Sequence, residues 1–199
     1  MNELKRWIKG LVLALLLALG GAYGWITWTG NFHPVYDHQV YRSAQLSDNQ
    51  LREKIEQYGI RSVLNLRGRK PDERWYRDEM AVGRELNVAH ADYKLSARKE
   101  LSVKQMAELV TLMRKLPKPL LVHCQGGADR SGLASALYLY AVQQDSAEKA
   151  ADQLSVRFGH VPYLFWADVE AMDKSFRKFV QARTRGAAVE SGAPPALGR

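Results

Sequence analysis

One segment near the middle of the chain restricts its fold more than any other, because it joins a buried strand to an apolar helix through a short loop with two glycines. The strand is predicted over Leu120–Cys124 and the helix over Ser131–Gln144. Gly126 and Gly127 lie between them. A loop that leads into a helix N-terminus in this way can turn backbone N–H groups toward a common concavity, which is a binding site for an anion.

The rest of the body alternates strands with helices. The predicted helices cover Leu46–Gly59, Pro71–Leu86, Ser102–Lys115, Ser131–Gln144, Ser146–Phe158 and Trp166–Arg183. The predicted strands cover Val40–Arg42, Ser62–Leu66, Val88–Leu95 and Leu120–Cys124, and Asn31–Asp37 is a predicted linker. This alternation predicts an α/β fold with a central, mostly parallel or mixed sheet of four to five strands flanked by helices. In such a sheet the site lies at the carboxyl ends of the strands.

Length and charge narrow the function classes. The 199 residues are 46% hydrophobic and 25% charged, which fits one globular domain, predicted over residues 31–183. A tail over 184–199, rich in Gly, Ala and Pro, is predicted to be disordered. The net charge of +8 suits an anionic substrate, but no recognition-helix pattern or aromatic-basic interleaving points to nucleic acid. A single cysteine excludes an internal disulfide and a cysteine-based metal cluster.

The first 30 residues are predicted to anchor the chain in a membrane. Basic residues at 5, 6 and 9 precede an uncharged run from Leu11 to Phe32, and about 20 apolar residues span a bilayer. This order predicts a single-pass inner (cell) membrane protein with its body outside the cytoplasm, periplasmic if bacterial. The alternative is a cleaved signal peptide with small residues at Ala18–Gly20, but apolar character continues to Trp28.

Cys124 is the predicted nucleophile. The N–H groups of Gln125 to Arg130 and the positive end of the following helix favour its thiolate. Arg130, six residues later, is placed to hold two oxygens of a phosphate in a bidentate fork. The hydroxyl of Ser131 is placed to hydrogen-bond the sulfur and help it to leave again.

The segment His123–Gly132 reads His-Cys-x-x-Gly-x-x-Arg-Ser-Gly, which resembles the signature of the protein tyrosine phosphatase superfamily. Val40–Gln45 and Ser62–Arg67 look like its dual-specificity branch, and especially like the small bacterial members. The resemblance implies the fold of that superfamily and hydrolysis of phosphotyrosine, with phosphoserine and phosphothreonine as further substrates, through a cysteinyl phosphate. It implies no metal and no other cofactor. It also assigns backbone contacts with phosphate to Gln125, Gly126, Gly127 and Ala128.

The general acid is harder to assign. The superfamily needs a group that protonates the leaving oxygen, usually an aspartate after the strand that precedes the motif strand. The corresponding loop here, Ser96–Glu100, contains no aspartate. Asp129 inside the motif is favoured, because myotubularin-like phosphatases carry an aspartate at that place. Asp92 and Glu100 remain open, and a structural role as partner of a nearby basic group is the alternative for Asp129.

Basic residues follow two of the predicted strands and give information about the class of substrate. They are Arg67, Arg69 and Lys70 after one strand and Arg98 and Lys99 after the next. Parallel strands would bring them to the edge that carries Cys124, which favours phosphoinositides or other anionic phosphorylated small molecules as alternative substrates. By the resemblance, Arg42 braces the loop and His123 orients it, while His90 and His160 receive no role.

Two other classes of protein fit the sequence less well than an enzyme of this kind. A phosphate-binding module without turnover would keep Cys124 and Arg130 but lack a general acid. A thiol redox protein would need a second, resolving cysteine, and the chain has one cysteine only.

Overall fold

A computed structural model of the chain describes residues 2–162 and 170–191. Within these residues the chain forms one five-stranded sheet in the order β1-β2-β5-β3-β4. The strands are β1 His33–Tyr36, β2 Val40–Ser43, β3 Ser62–Asn65, β4 Ala89–Asp92 and β5 Leu120–His123. Strands β2 to β5 run parallel, and β1 pairs antiparallel with β2. The predicted α/β class with a mixed sheet is confirmed.

Seven α-helices lie in the described part of the chain. They are α1 Asn2–Thr29, α2 Asp48–Tyr58, α3 Arg74–Glu85, α4 Val103–Lys115, α5 Asp129–Ala141, α6 Ala147–Ala151 and α7 Ala171–Ser191. Ser47 and Ser102 cap α2 and α4 through capping boxes with Gln50 and Gln105, a pattern visible in the sequence because each Ser is followed three residues later by Gln. The helix predicted from Pro71 begins three residues later, after Glu73 in an extended conformation.

The sheet is buried on both faces, and strand β5 shows how. Leu120 and Val122 belong to one apolar cluster, with residues of α4, α5 and α7, whereas Leu121 points into a second cluster with residues of α2 and α3. All four residues of β5 are buried. Burying one such leucine side chain stabilises the fold by about 1.5–3 kcal/mol. A strand covered on both faces therefore has an uninterrupted apolar sequence rather than an alternating one.

Strand β1 lies in the segment that was predicted to be a linker. It contains Pro34, which has no N–H to donate and is therefore tolerated only at the edge of a sheet. The strand order places β1 at that edge, paired on one side with β2. A proline inside a short segment ordinarily argues against a strand, and the edge position of β1 removes that objection here.

The N-terminal segment forms α1, but the membrane-anchor prediction is not supported. Among the described residues, none of the helices combines the length and the apolar character needed to cross a bilayer. In the sequence the leucine-rich run is followed by Gly20, Gly21 and Gly24, which add no apolar side chain. The location of the domain outside the cytoplasm stays a prediction.

The C-terminal end differs from the prediction as well. Helix α7 continues to Ser191, beyond residue 184, where the disordered tail was expected to begin. Residues 192–199 of that tail lie outside the described residues, as does Trp166, the predicted first residue of the last helix.

Candidate active site

The parallel strands bring the predicted site residues to one edge of the sheet. Ser43 of β2 and Asn65 of β3 are in register with His123, the last residue of β5. Asp92 ends β4 in register with Asn65. Cys124 follows directly, is 2% exposed, and opens the loop of residues 124–128 that leads into α5.

Four successive carbonyl oxygens of this loop, those of residues 125–128, are held from outside. The N–H of Gln45 donates to the first at 3.1 Å, and the side-chain amide of Asn31 donates to the second at 3.0 Å. Arg42 donates to the third and the fourth, both at 2.8 Å. In a planar trans peptide the N–H points opposite to the carbonyl, so the N–H groups of residues 126–129 face away from these braces. In the described part of the chain, no backbone group outside α5 accepts from them.

Among residues 2–162 and 170–191, this arrangement leaves a row of N–H groups without a backbone acceptor at the start of α5, close in the chain to the thiol. Such a nest binds anions, and the helix dipole adds positive potential at the same place. Of the four residues predicted to bind phosphate, Gly126, Gly127 and Ala128 contribute N–H groups to this row, whereas Gln125 contributes only the carbonyl that Gln45 holds. The role itself stays a prediction.

Gly127 permits the loop to approach β2 closely. Its φ is +69°, and a Cβ built on it would lie 2.5 Å from the backbone nitrogen of Ala44 and 2.7 Å from the carbonyl carbon of Ser43. A side chain at this position would therefore collide with backbone that cannot move aside. Gly126 differs, because a Cβ there would meet nothing within 4 Å. Of the two loop glycines, only Gly127 is required by the observed geometry.

Arg42 is wholly buried beneath the loop, as 0% of it is exposed. Besides the loop carbonyls, it donates to the backbone and side-chain oxygens of Gln153, and its guanidinium lies 4.3 Å from the ring centre of Phe158. Burial lowers the pKa of Arg42 to about 10, against the opposing charges of Cys124 and Asp129. Arg42 therefore stays charged at neutral pH and adds a fixed positive charge under the anion nest.

Ser131 lies beside Cys124, and Arg130 precedes Ser131 in the first turn of α5. The Sγ of Cys124 is 3.5 Å from the Oγ of Ser131, which is itself buried. The Nε of Arg130 is buried and has no hydrogen-bond partner among the described residues. The pKa of Arg67 is lowered mainly by burial and then by the positive charge of Arg130. Arg67 and Arg130 therefore lie near each other. Arg67 is held in place by Trp75, whose ring centre is 3.7 Å from its guanidinium carbon.

Glu79 is a site residue that the sequence reasoning missed. Its carboxylate lies 3.1 Å from Nε2 of His123, 2.8 Å from Nε2 of His90 and 2.9 Å from the side-chain nitrogen of Gln45. Burial opposes its ionisation, but the charge of His123 and these hydrogen bonds outweigh burial and lower the pKa of Glu79. The buried carboxylate thus orients His123, the neighbour of Cys124 in the chain.

A sequence signal for Glu79 exists. It falls between Tyr76 and Val82 at the three-residue spacing that marks the buried face of a helix, and all three side chains are buried in α3. A carboxylate at a buried position needs partners, and those partners lie far away in the sequence. Asn31 carries no comparable signal, because it follows the N-terminal helix in a predicted linker.

The three candidate acids differ in what holds them. Asp92 accepts from Asn65 at 2.7 Å and from the hydroxyl of Tyr76 at 2.6 Å, so both of its oxygens are engaged. Glu100 is paired with Lys178 at 2.7 Å on the protein surface. Asp129 begins α5 inside the loop motif itself, and its Oδ1 lies 2.7 Å from Nδ1 of His160.

His160 links Asp129 to α7. Its Nε2 lies 2.8 Å from Oδ2 of Asp173, and the ring is 1% exposed. Burial lowers the pKa of His160, but the hydrogen bonds and charges of Asp129 and Asp173 outweigh burial and raise the pKa to about 9. The ring is therefore an imidazolium at neutral pH and donates from both nitrogens. This is the basic partner that was the alternative explanation for Asp129.

This link predicts a pH dependence of stability. Below pH 6.5 His160 is protonated in both states and its stabilisation is complete; as the pH rises to about 9, the unfolded chain loses the proton first. We expect the free energy of unfolding to fall by up to about 3 kcal/mol over this interval. Urea unfolding from pH 6 to pH 9.5 measures the fall, and His160→Asn should remove most of the slope. An equal slope in both proteins would contradict the assignment.

The chain resembles known proteins in sequence and in fold. A family model described as the tyrosine phosphatase family matches residues 19–185. None of the curated proteins matches the chain. It is similar to P. aeruginosa TpbA in complex with pTyr, at 18% identity and a TM-score of 0.60, over 80% of this chain and 91% of that one.

Two further solved structures are similar at the same identity. The core catalytic domain of the PP-IP phosphatase SIW14 from S. cerevisiae, in complex with citrate, has 18% identity, a TM-score of 0.60 and coverage of 83% of this chain and 94% of that one. PTPMT1 in complex with PI(5)P has 18% identity, a TM-score of 0.56 and coverage of 77% and 98%. At these identities the likeness shows the fold, and it agrees with the predicted one.

Proposed function

Because this chain belongs to the tyrosine phosphatase family, whose members are cysteine-dependent phosphatases, we propose that it hydrolyses phosphotyrosine in proteins through a phosphate ester on Cys124. The observation that carries the proposal is the bracing of four loop carbonyls, which turns the N–H groups of residues 126–129 toward one anion site beside the thiol. Phosphoserine and phosphothreonine are proposed as further substrates.

In the first step the thiolate of Cys124 attacks phosphorus opposite the leaving oxygen. The S–P bond forms as the P–O bond breaks, and the electron pair of the breaking bond goes to the leaving oxygen. That oxygen takes a proton from Asp129, which for this step is a carboxylic acid protonated on Oδ2 while Oδ1 accepts from His160. The loop N–H groups and the guanidinium of Arg130 stabilise the charge on the three equatorial oxygens. The buried charge of Arg42 strengthens the same field from below.

In the second step a water attacks the cysteinyl phosphate. Asp129, now a carboxylate, takes the proton of the water as the new P–O bond forms. The S–P bond breaks, and its electron pair returns to the sulfur, whose thiolate is stabilised by the hydroxyl of Ser131 at 3.5 Å. The products are inorganic phosphate and the starting enzyme, and no metal or other cofactor takes part.

The substrate class has a second candidate, supported by the rim of the site. Arg67, held against Trp75, sets a second cation near Arg130, and a pair of cations favours substrates with several negative charges. The similar structures point both ways, since TpbA was solved with pTyr and PTPMT1 with PI(5)P. Phosphoinositides and other phosphorylated small molecules are therefore the alternative.

The direct test is phosphate release by the full chain under reducing conditions with EDTA present. Phosphotyrosine, phosphoserine and phosphothreonine peptides are compared with soluble phosphoinositides at equal concentrations, and kcat/KM is measured for each. The proposal expects the highest kcat/KM for phosphotyrosine peptides. A higher value for phosphoinositides would move the function to the alternative, and a folded protein that binds phosphate without any release would be a phosphate-binding module.

The general acid is tested by Asp129→Asn. We expect kcat/KM for phenyl phosphate, whose phenolate is a poor leaving group, to fall by roughly 10²-fold, because protonation of the leaving oxygen is lost. For 4-nitrophenyl phosphate, whose leaving group needs little protonation, the fall should be several times smaller. Glu100→Gln is the matched control, since it removes a surface carboxylate whose ion pair is with Lys178 of α7. A larger effect of leaving group in Glu100→Gln or Asp92→Asn would reassign the acid.

A further inference from the structure

We propose that His160 is a positioning residue for the general acid: it holds one oxygen of Asp129, so that the other oxygen exchanges protons with the substrate. This inference rests on the proposed function and on Asp129 as the acid. It gives a role in the reaction to a histidine that follows the short 3-10 turn Val156–Phe158, outside the loop motif and outside every motif in the sequence.

The contacts are direct. His160 Nδ1 lies 2.7 Å from Oδ1 of Asp129, and Nε2 lies 2.8 Å from Oδ2 of Asp173. The ring is 1% exposed, whereas the side chain of Asp129 is 30% exposed. One oxygen of the carboxylate is therefore tied to a buried ring, while part of the side chain remains exposed to solvent.

The surrounding charges support this arrangement. Asp173 of α7 contacts the ring on the side opposite to Asp129. Arg42, whose pKa burial lowers, lies close enough to Asp129 for the charge of Asp129 to oppose that lowering. Two carboxylates thus enclose one imidazolium, and Nδ1 can only donate toward Asp129. An imidazolium fixed in this way gives the carboxylate one orientation instead of several.

The consequence for catalysis is geometric. The proton moves between Asp129 and the leaving oxygen in the first step, and between the water and Asp129 in the second. Each transfer requires the same carboxylate oxygen to be within hydrogen-bond reach of the reacting oxygen. A misplacement of about 1 Å at a reacting group can cost on the order of 10²-fold in rate. A fixed Oδ1 sets the position of the other oxygen for both steps.

The experiment uses two amides that replace different nitrogens of the ring. In His160→Asn the amide nitrogen takes nearly the place of Nδ1 and keeps the donor to Asp129. In His160→Gln it takes nearly the place of Nε2 and keeps the donor to Asp173 only. Both lose the charge and the ring, so they are matched in everything except the nitrogen that touches Asp129.

The readout is the ratio of kcat/KM for phenyl phosphate to that for 4-nitrophenyl phosphate. We expect His160→Gln to lower this ratio by about 10-fold or more, and His160→Asn to change it by less than about 3-fold. Equal ratios in the two variants would overturn the proposal and leave His160 a structural tether.

A second test needs no variant. When orthovanadate binds to the wild-type protein, the NMR signal of the His160 Nδ1–H should shift more than that of Nε2–H. An unchanged Nδ1–H signal in the vanadate complex would also overturn the proposal.

Failures at different levels remain separable. If the wild-type protein releases no phosphate, the proposed phosphatase function is wrong, independently of the role of His160. If wild type turns over but Asp129→Asn does not change the ratio, the assignment of the acid fails. If Asp129→Asn lowers the ratio and His160→Gln does not, the inference about His160 alone is wrong.

Discussion

Cys124→Ser is expected to abolish phosphate release while leaving the fold and phosphate binding in place. The hydroxyl has nearly the size of the thiol but does not ionise near neutral pH, so the site keeps its shape and loses its nucleophile. Loss of a catalytic nucleophile costs on the order of 10⁴- to 10⁶-fold in kcat in well-studied hydrolases. The measurement is phosphate release from a phosphotyrosine peptide at saturating concentration.

Two controls accompany the measurement. Calorimetric titration with the same peptide should show that the variant still binds, because the loop N–H groups and Arg130 are unchanged. Since Cys124 is the single cysteine of the chain, alkylation of wild type should also give one adduct, and bound phosphate should slow its formation. Residual release by Cys124→Ser within about 10-fold of wild type would remove the cysteine from the mechanism.

Gly127→Ala is expected to destabilise the protein and inactivate it. The added Cβ would meet the backbone of Ser43 and Ala44 at 2.7 and 2.5 Å, in a residue with φ of +69°. A left-handed conformation costs an ordinary residue about 1–2 kcal/mol, and overpacking adds typically 1–3 kcal/mol. We expect the free energy of unfolding to fall by about 2–5 kcal/mol in urea titrations.

The neighbouring glycine provides the matched control. Gly126→Ala adds the same methyl group one residue earlier, where nothing lies within 4 Å, and should change the free energy of unfolding by less than about 1 kcal/mol. Similar losses in the two variants would show that the close approach of the loop to β2 does not determine stability. A stable but inactive Gly127→Ala would show that the loop moved rather than the sheet.

The parts of the site that the sequence predicted are the parts that local patterns encode. The apolar run before Cys124, the glycines after it and the capping boxes of Ser47 and Ser102 each act over a few residues. Strand direction followed from the alternation of strands and helices. These features are confirmed because the residues that determine each element lie within it or beside it in the chain.

The parts that were missed depend on contacts between distant residues. Asn31 reaches the loop across 95 residues, Glu79 reaches His123 across 44, and His160 reaches Asp129 across 31. No periodicity or spacing marks such pairs, because their proximity is produced by the packing of the whole domain. Strand β1 was missed for a related reason, since the tolerance for Pro34 depends on being at a sheet edge.

The braces of the loop also bear on how family members that have lost activity would be recognised. The loop is shaped through backbone carbonyls, so its side chains at 125, 126 and 128 carry little of the geometry. Asn31 and Arg42, which lie outside the motif, carry much of it. A relative in which both had drifted to apolar residues would still display a complete signature while its N–H groups were no longer aimed at one point. Sorting active members from pseudoenzymes therefore needs these two positions as well as the cysteine and the arginine.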